Sequence, residues 1–196
     1  MMIQTDRYRH RYTVAEMYRT LLDVLPSIGI LRRNHQDEVV DAHFIERLML
    51  AVTEVNGCAL CSYAHAKMAL ESGFSKEEVT SFLAGSDAFV VPAEATAILF
   101  AQRYADVQGR VDEEEFQRVV SEYGEEAARI ILASIRVMMG GNVIGLPYSA
   151  LQSRFKGVRY TNSTLLYEIG MSLAPLVLVP VALLHHLGRR IGLLDH

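Results

Sequence analysis

The chain has 196 residues, 51% of them hydrophobic, with 19 Lys and Arg against 23 Asp and Glu, a net charge of -4 and a pI near 6.0. That length suits one large domain or a domain with extensions, and the acidic balance excludes a general nucleic-acid binder. Two cysteines cannot build the disulfide framework of a small secreted protein, and Asp6, Glu16 and Asp23 interrupt the stretch where a signal peptide would be apolar, so a cytoplasmic protein is expected.

Nearly every segment reads as helix. Thr13 with Glu16 forms a capping box, and the helix it opens is expected to end before Pro26. From about Asp37 to Val55 the apolar residues Val40, Phe44, Leu48, Ala51 and Val55 fall at helical spacing, and Asn56-Gly57 breaks the run. The next helix begins near Cys58 and stops at Gly73, a good C-terminal cap. Ser75 with Glu78 caps a short helix ending at Gly85, and Pro92 suits the first turn of a helix reaching about Val107. Asp112 opens a helix closed at Gly124. Glu125 opens another, strongly apolar, expected to end at Gly140-Gly141. No apolar–polar alternation persists long enough for a strand, so the fold class is all-α.

From Ile169 to Gly188 there is no Asp, Glu, Lys or Arg. This approaches the roughly 20 residues that span a bilayer. Pro175, Pro180, His185 and His186 interrupt the run, and the preferred reading is a buried helix or a subunit-interface helix, with no membrane contact expected. His185 and His186 read as a surface or interface feature, and Met138-Met139 as core.

The run from Cys58 to His65 holds both cysteines of the chain, three apart, with the histidine four positions on. A helix beginning here puts both sulfurs in its first turn, close enough for a disulfide, and places 58, 61 and 65 on one face. A helix N-terminus stabilises a thiolate, and an imidazole one turn on from Cys61 can take or return the thiol proton. Either of two carboxylates on the preceding helix, Glu46 or Glu54, can orient that imidazole; spacing alone does not choose between them.

Glu46, an eleven-residue gap, then Cys-x-x-Cys-x-x-x-His resembles the active-site motif of the alkylhydroperoxidase D (AhpD-like) branch of the carboxymuconolactone decarboxylase superfamily. The neighbouring text resembles it as well: Glu46-Arg47, Thr53 to Cys58, and Ala69 to Gly73 followed by Ser75 to Val79. From 92 to 152 the likeness rests on helix order, on Gly141-Asn142 and on Leu146 to Leu151; residues 1 to 35 and the apolar tail carry none of it. The resemblance implies an AhpD-like helical domain over 36–155, between a helical extension at 1–35 and an apolar C-terminal helical extension at 156–196. It implies a trimer or hexamer, and a thiol (hydro)peroxidase or disulfide reductase free of metal and cofactor. Cys61 would attack a small hydroperoxide and Cys58 would resolve the sulfenic acid to a disulfide. Glu46 and His65 would relay the proton, with Glu54 supporting. A dithiol, lipoamide or a thioredoxin-like protein, would restore the thiols. Ala59-Leu60 stand where some members carry a histidine between the cysteines, which implies a weaker relay.

Two other readings give different expectations. A redox-responsive binding or adaptor protein would form the disulfide without turnover. A structural zinc module would use Cys58, Cys61 and His65, with Glu46 or His43 as fourth ligand.

Overall fold

The computed structural model describes residues 3–5 and 10–191. The fold is all-α. Thr13 caps α1 (Val14–Asp37) through a reciprocal capping box with Glu16. This helix does not stop at Pro26. The proline forfeits one backbone bond and costs about 3 kcal/mol in an isolated helix. Here α1 lies along α6, with Met17, Leu21 and Ser27 buried, and burial of that face outweighs the local penalty. The chain then turns at Glu38, with φ 51°, and Asp41 caps α2 (Ala42–Asn56), which therefore begins later than the apolar spacing implies. Asn34 braces the turn by exchanging two hydrogen bonds with the Val40 backbone.

Gly57, at φ 70°, ends α2 and turns the chain into α3 (Ala59–Glu71). Ser75 caps α4 (Lys76–Leu83). A 3-10 turn at Pro92–Glu94 leads into α5 (Ala95–Asp106). Arg47 of α2 ties these pieces together, holding Glu94 by two bonds of 2.6 Å and Glu78 of α4 at 3.4 Å. Such a forked, charge-assisted pair fixes orientation as well as distance.

The long element α6 (Glu113–Phe155) is two helices meeting at Gly124, where φ 78° and ψ 161° are not helical. The expected break at Gly124 is there; the expected end at Gly140-Gly141 is not. The helix continues past both glycines and through Pro147 to Phe155, and Gly140 lies where α6 crosses α1. A Cβ on Gly140 would stand 2.5 Å from Val24 of α1. Glycine is tolerated where backbones approach this closely. The second half of α6 is the hub of the core: Ile131, Ile135, Val143, Leu146 and Ala150 are fully or almost fully buried, and α1, α2, α3, α5 and α7 all pack on it. Met138 and Met139 are core, as expected.

After α6, β2 (Val158–Tyr160) pairs in parallel with β1 (Ile3–Thr5). Three-residue strands carry too little alternation to read from sequence. The tail forms α7 (Leu165–Leu173) and α8 (Pro175–Arg190). Arg154 of α6 grips the fully buried Glu168 of α7 with two bonds of 2.6 Å and also donates to the Ser163 carbonyl. Burial by itself would raise the Glu168 carboxyl, but the hydrogen bonds from Arg154 and the charges of Arg154 and Arg159 hold it below the usual carboxylate value. Two helical stretches are long and apolar enough to cross a membrane. In Glu113–Phe155 the apolar window is 72% buried, as in a core helix, while in Leu165–Arg189 it is 17% buried.

Candidate active site

The turn between α2 and α3 builds the site. Cys58 is the N-cap of α3, and its sulfur accepts the backbone N–H of Cys61 at 3.3 Å. The first turn of a helix offers unpaired N–H groups and a positive dipole end, so anionic sulfur at position 58 is favoured. Cys58 and Cys61 are joined as a disulfide. Cys58 is fully buried and Cys61 is 7% exposed, leaving Cys61 as the sulfur that solvent can reach.

The relay carboxylate is decided by packing. Glu46 Oε1 lies 2.8 Å from His65 Nδ1, with both side chains mostly buried. Glu54 points elsewhere: its carboxylate rests against Gly85, at the turn after α4. The two residues are eight apart on α2, which leaves an angular offset of roughly 80° around the helix. That offset is enough for one to face α3 and the other the α4 turn. Glu54 is therefore at the edge of the neighbourhood and does not share the His65 contact.

His43, the other candidate fourth zinc ligand, is spent differently. Its Nε2 lies 3.0 Å from the Ser72 carbonyl, and its ring packs on Phe74. Among the described residues, no three His, Cys, Asp or Glu side chains are arranged to hold a metal ion.

The opposite wall of the site comes from α6, and here sequence reasoning missed the participants. A Cβ on Gly145 would lie 2.8 Å from Cys61 Sγ and 2.9 Å from Cys58 Sγ. The Gly141 carbonyl lies 3.6 Å from Cys61 Sγ, placed to accept from that thiol when the pair is reduced. Ser149 Oγ accepts the Leu60 N–H at 3.1 Å, satisfying a first-turn donor of α3. Residues 141, 145 and 149 recur every four positions, a single face of one helix. That spacing is the signal in the sequence, and the expected helix end at Gly140-Gly141 hides it.

Behind the cysteines runs a buried polar chain. Tyr12 donates to Asn56 Oδ1 at 3.0 Å, the Asn56 amide meets Met139 Sδ at 3.2 Å, and Thr53 donates to Asn142 Oδ1 at 3.4 Å. Burial, with the nearby Glu16 charge and Tyr167 adding to it, raises the Tyr12 hydroxyl far above its ordinary value, so it serves only as a neutral donor. These contacts hold the end of α2, and with it the turn that presents Cys58. A cavity of about 590 Å³ lies where α4 meets α5, lined by Phe82, Gly85, Asp87, Val90 and Ile98 among others. None of Glu46, Cys58, Cys61 and His65 lines it, so chemistry, not cavity size, locates the site.

The arrangement can cycle between dithiol and disulfide, with an imidazole–carboxylate pair one helical turn from the more exposed sulfur. No curated protein and no solved structure matches the chain. Residues 30–103, from the last turns of α1 through most of α5 and including Glu46, Cys58, Cys61 and His65, match the model of the Carboxymuconolactone decarboxylase family.

Proposed function

We propose that the protein is a thiol-dependent hydroperoxidase of the AhpD-like type. The observation that carries this reading is the convergence of a Cys58–Cys61 disulfide at a helix N-terminus with a His65–Glu46 pair one turn along the same helix. The carboxylate accepts from Nδ1–H and leaves Nε2 as the nitrogen that exchanges protons. Cys61 thiolate attacks the terminal oxygen of a small hydroperoxide; the O–O bond breaks, the alcohol leaves with a proton delivered by the relay, and Cys61 becomes a sulfenic acid. Cys58 thiolate then attacks that sulfur; the S–O bond breaks and hydroxide leaves, taking a proton from the relay to become water as the disulfide closes. An external dithiol, lipoamide or a thioredoxin-like protein, reduces it through a mixed disulfide. The greater exposure of Cys61 supports its role as attacking sulfur, and the helix N–H at Cys58 supports a stabilised resolving thiolate. A cytoplasmic setting, reducing enough to keep the pair cycling, and assembly as a trimer or hexamer complete the proposal.

The test is hydroperoxide consumption with dihydrolipoamide as donor, comparing the native chain with Cys58→Ser and Cys61→Ser. Turnover lost in both variants is expected. Turnover retained in Cys61→Ser overturns the role of that sulfur. A disulfide that forms without any turnover moves the function to a redox-responsive binding protein.

A further inference from the structure

The cavity where α4 meets α5 is not used by the thiol chemistry. Its lining is mainly apolar. Phe82 and Ile98 are core residues, each 3% exposed, and Val90, Pro92, Ala95 and Leu99 extend the wall. Its volume of about 590 Å³ falls within the ~300–1,000 Å³ of small-molecule pockets.

The walls are fixed without a ligand. The stretch between α4 and the 3-10 turn closes its own backbone bonds: Gly85 N–H donates to the Phe82 carbonyl at 3.1 Å, Ser86 N–H to the Ser81 carbonyl at 3.0 Å, and Val90 N–H to the Asp87 carbonyl at 2.9 Å. Ser86 Oγ accepts the Ala88 N–H at 3.3 Å. Arg47 staples both sides, holding Glu78 of α4 and Glu94 of the turn that carries Pro92. A pocket with preset walls loses little freedom on binding.

Two polar side chains of the lining are left over. Among the described residues, neither the Asp87 carboxylate nor the half-buried Gln102 amide meets a hydrogen-bond or ion-pair partner. Asp87 is the single charged residue among the described lining residues, with no Lys or Arg beside it there. Apolar walls with an unopposed carboxylate favour an apolar body that carries a cation, and disfavour an anion. We propose that this cavity binds a small amphipathic amine. Its hydrocarbon or aromatic body packs on Phe82, Ile98 and Leu99, its ammonium group donates to Asp87, and the Gln102 amide supplies a further hydrogen bond. None of Glu46, Cys58, Cys61 and His65 lines the cavity, so the inference stands or falls apart from the peroxidase reading.

The chain contains no tryptophan, so tryptamine, excited beyond tyrosine absorption, reports its own binding to the full native chain by fluorescence anisotropy. Saturable binding below millimolar concentration is expected. Competition with tryptophol, the uncharged analogue, should show about threefold weaker binding, and with indole-3-propionate, the anion, about tenfold weaker, as fits one solvent-exposed carboxylate. Asp87→Asn should erase the preference for tryptamine over tryptophol while both still bind. Ala95→Phe, which intrudes on the cavity, should weaken both at least about tenfold with helicity unchanged. If Ala95→Phe does not fold, the exposed substitution Asp87→Asn carries the test. Absence of saturable binding, equal affinity for amine and anion, or an amine preference that survives Asp87→Asn overturns the proposal. So does native affinity in a folded Ala95→Phe chain, which puts tryptamine elsewhere on the protein.

Discussion

Replacing Gly145 by alanine should injure both the stability and the chemistry of the site. The added Cβ would stand 2.8 Å from Cys61 Sγ and 2.9 Å from Cys58 Sγ, nearly an ångström inside an ordinary contact of about 3.5–4.0 Å. Neither sulfur can swing away freely, because each is bonded to the other and Cys58 is fixed as the N-cap of α3. Overpacking of this kind costs about 1–3 kcal/mol. Alanine in a helix interior returns about 0.8–1 kcal/mol relative to glycine, so the net change is a loss of up to about 2 kcal/mol. Gly29 supplies the control. It also lies inside a helix, but a Cβ there meets nothing within 4 Å, so Gly29→Ala should stabilise by about 0.5–1 kcal/mol. Urea unfolding of the two variants isolates the sulfur contact as their difference, about 1–3 kcal/mol. Peroxide-driven disulfide formation in Gly145→Ala should slow at least about tenfold, since small misplacements of reacting groups carry large rate penalties. Equal stabilisation by both substitutions, with oxidation at the native rate, would refute the claim that α6 seats the sulfurs.

Glu168→Gln removes one partner of a buried ion pair and leaves Arg154 uncompensated; a loss of about 3 kcal/mol in unfolding free energy is expected, and a loss below about 0.5 kcal/mol would count against the pair as the lock on α7. Because the folded carboxyl of Glu168 is held below its unfolded value, its stabilisation is fully present above the unfolded value near 4.3 and fades as pH falls through the folded one. Thermal melts of the native chain should therefore fall more steeply below about pH 4 than those of Glu168→Gln. Tyr12→Phe leaves Asn56 Oδ1 buried without its donor and should cost about 1–2 kcal/mol, read by urea unfolding. Glu46→Gln should reduce hydroperoxide turnover by about 10- to 100-fold while Glu54→Gln leaves it within about threefold, given typical general acid–base contributions; the reverse order would exchange the two carboxylates.

The sequence by itself determined the helical class and most helix starts, because a cap needs only one side chain and the backbone beside it: Thr13 and Ser75 cap helices where their spacing to Glu16 and Glu78 places them, and Asp112 opens its helix as expected. It also determined which residue types meet near the cysteines, since a spacing of three and four on one helix is local geometry. What it left open were matters settled between segments. Pro26 and the Gly140-Gly141 pair act as terminators only until α1 and α6 bury against each other, and burial of whole helix faces exceeds a single lost bond or a glycine's entropy. The choice of Glu46 over Glu54 as the partner of His65 depends on the rotation of α2 against α3, which no spacing within α2 encodes. The wall of the site contributed by Gly141, Gly145 and Ser149 lies eighty or more residues from the cysteines in the chain, and only the packed hub of α6 brings it there. The tail shows the same division: the absence of charge from Ile169 to Gly188 is written in the sequence, but which side of α8 is left uncovered is fixed by the Tyr18–His185 contact and the seat of the helix on α1.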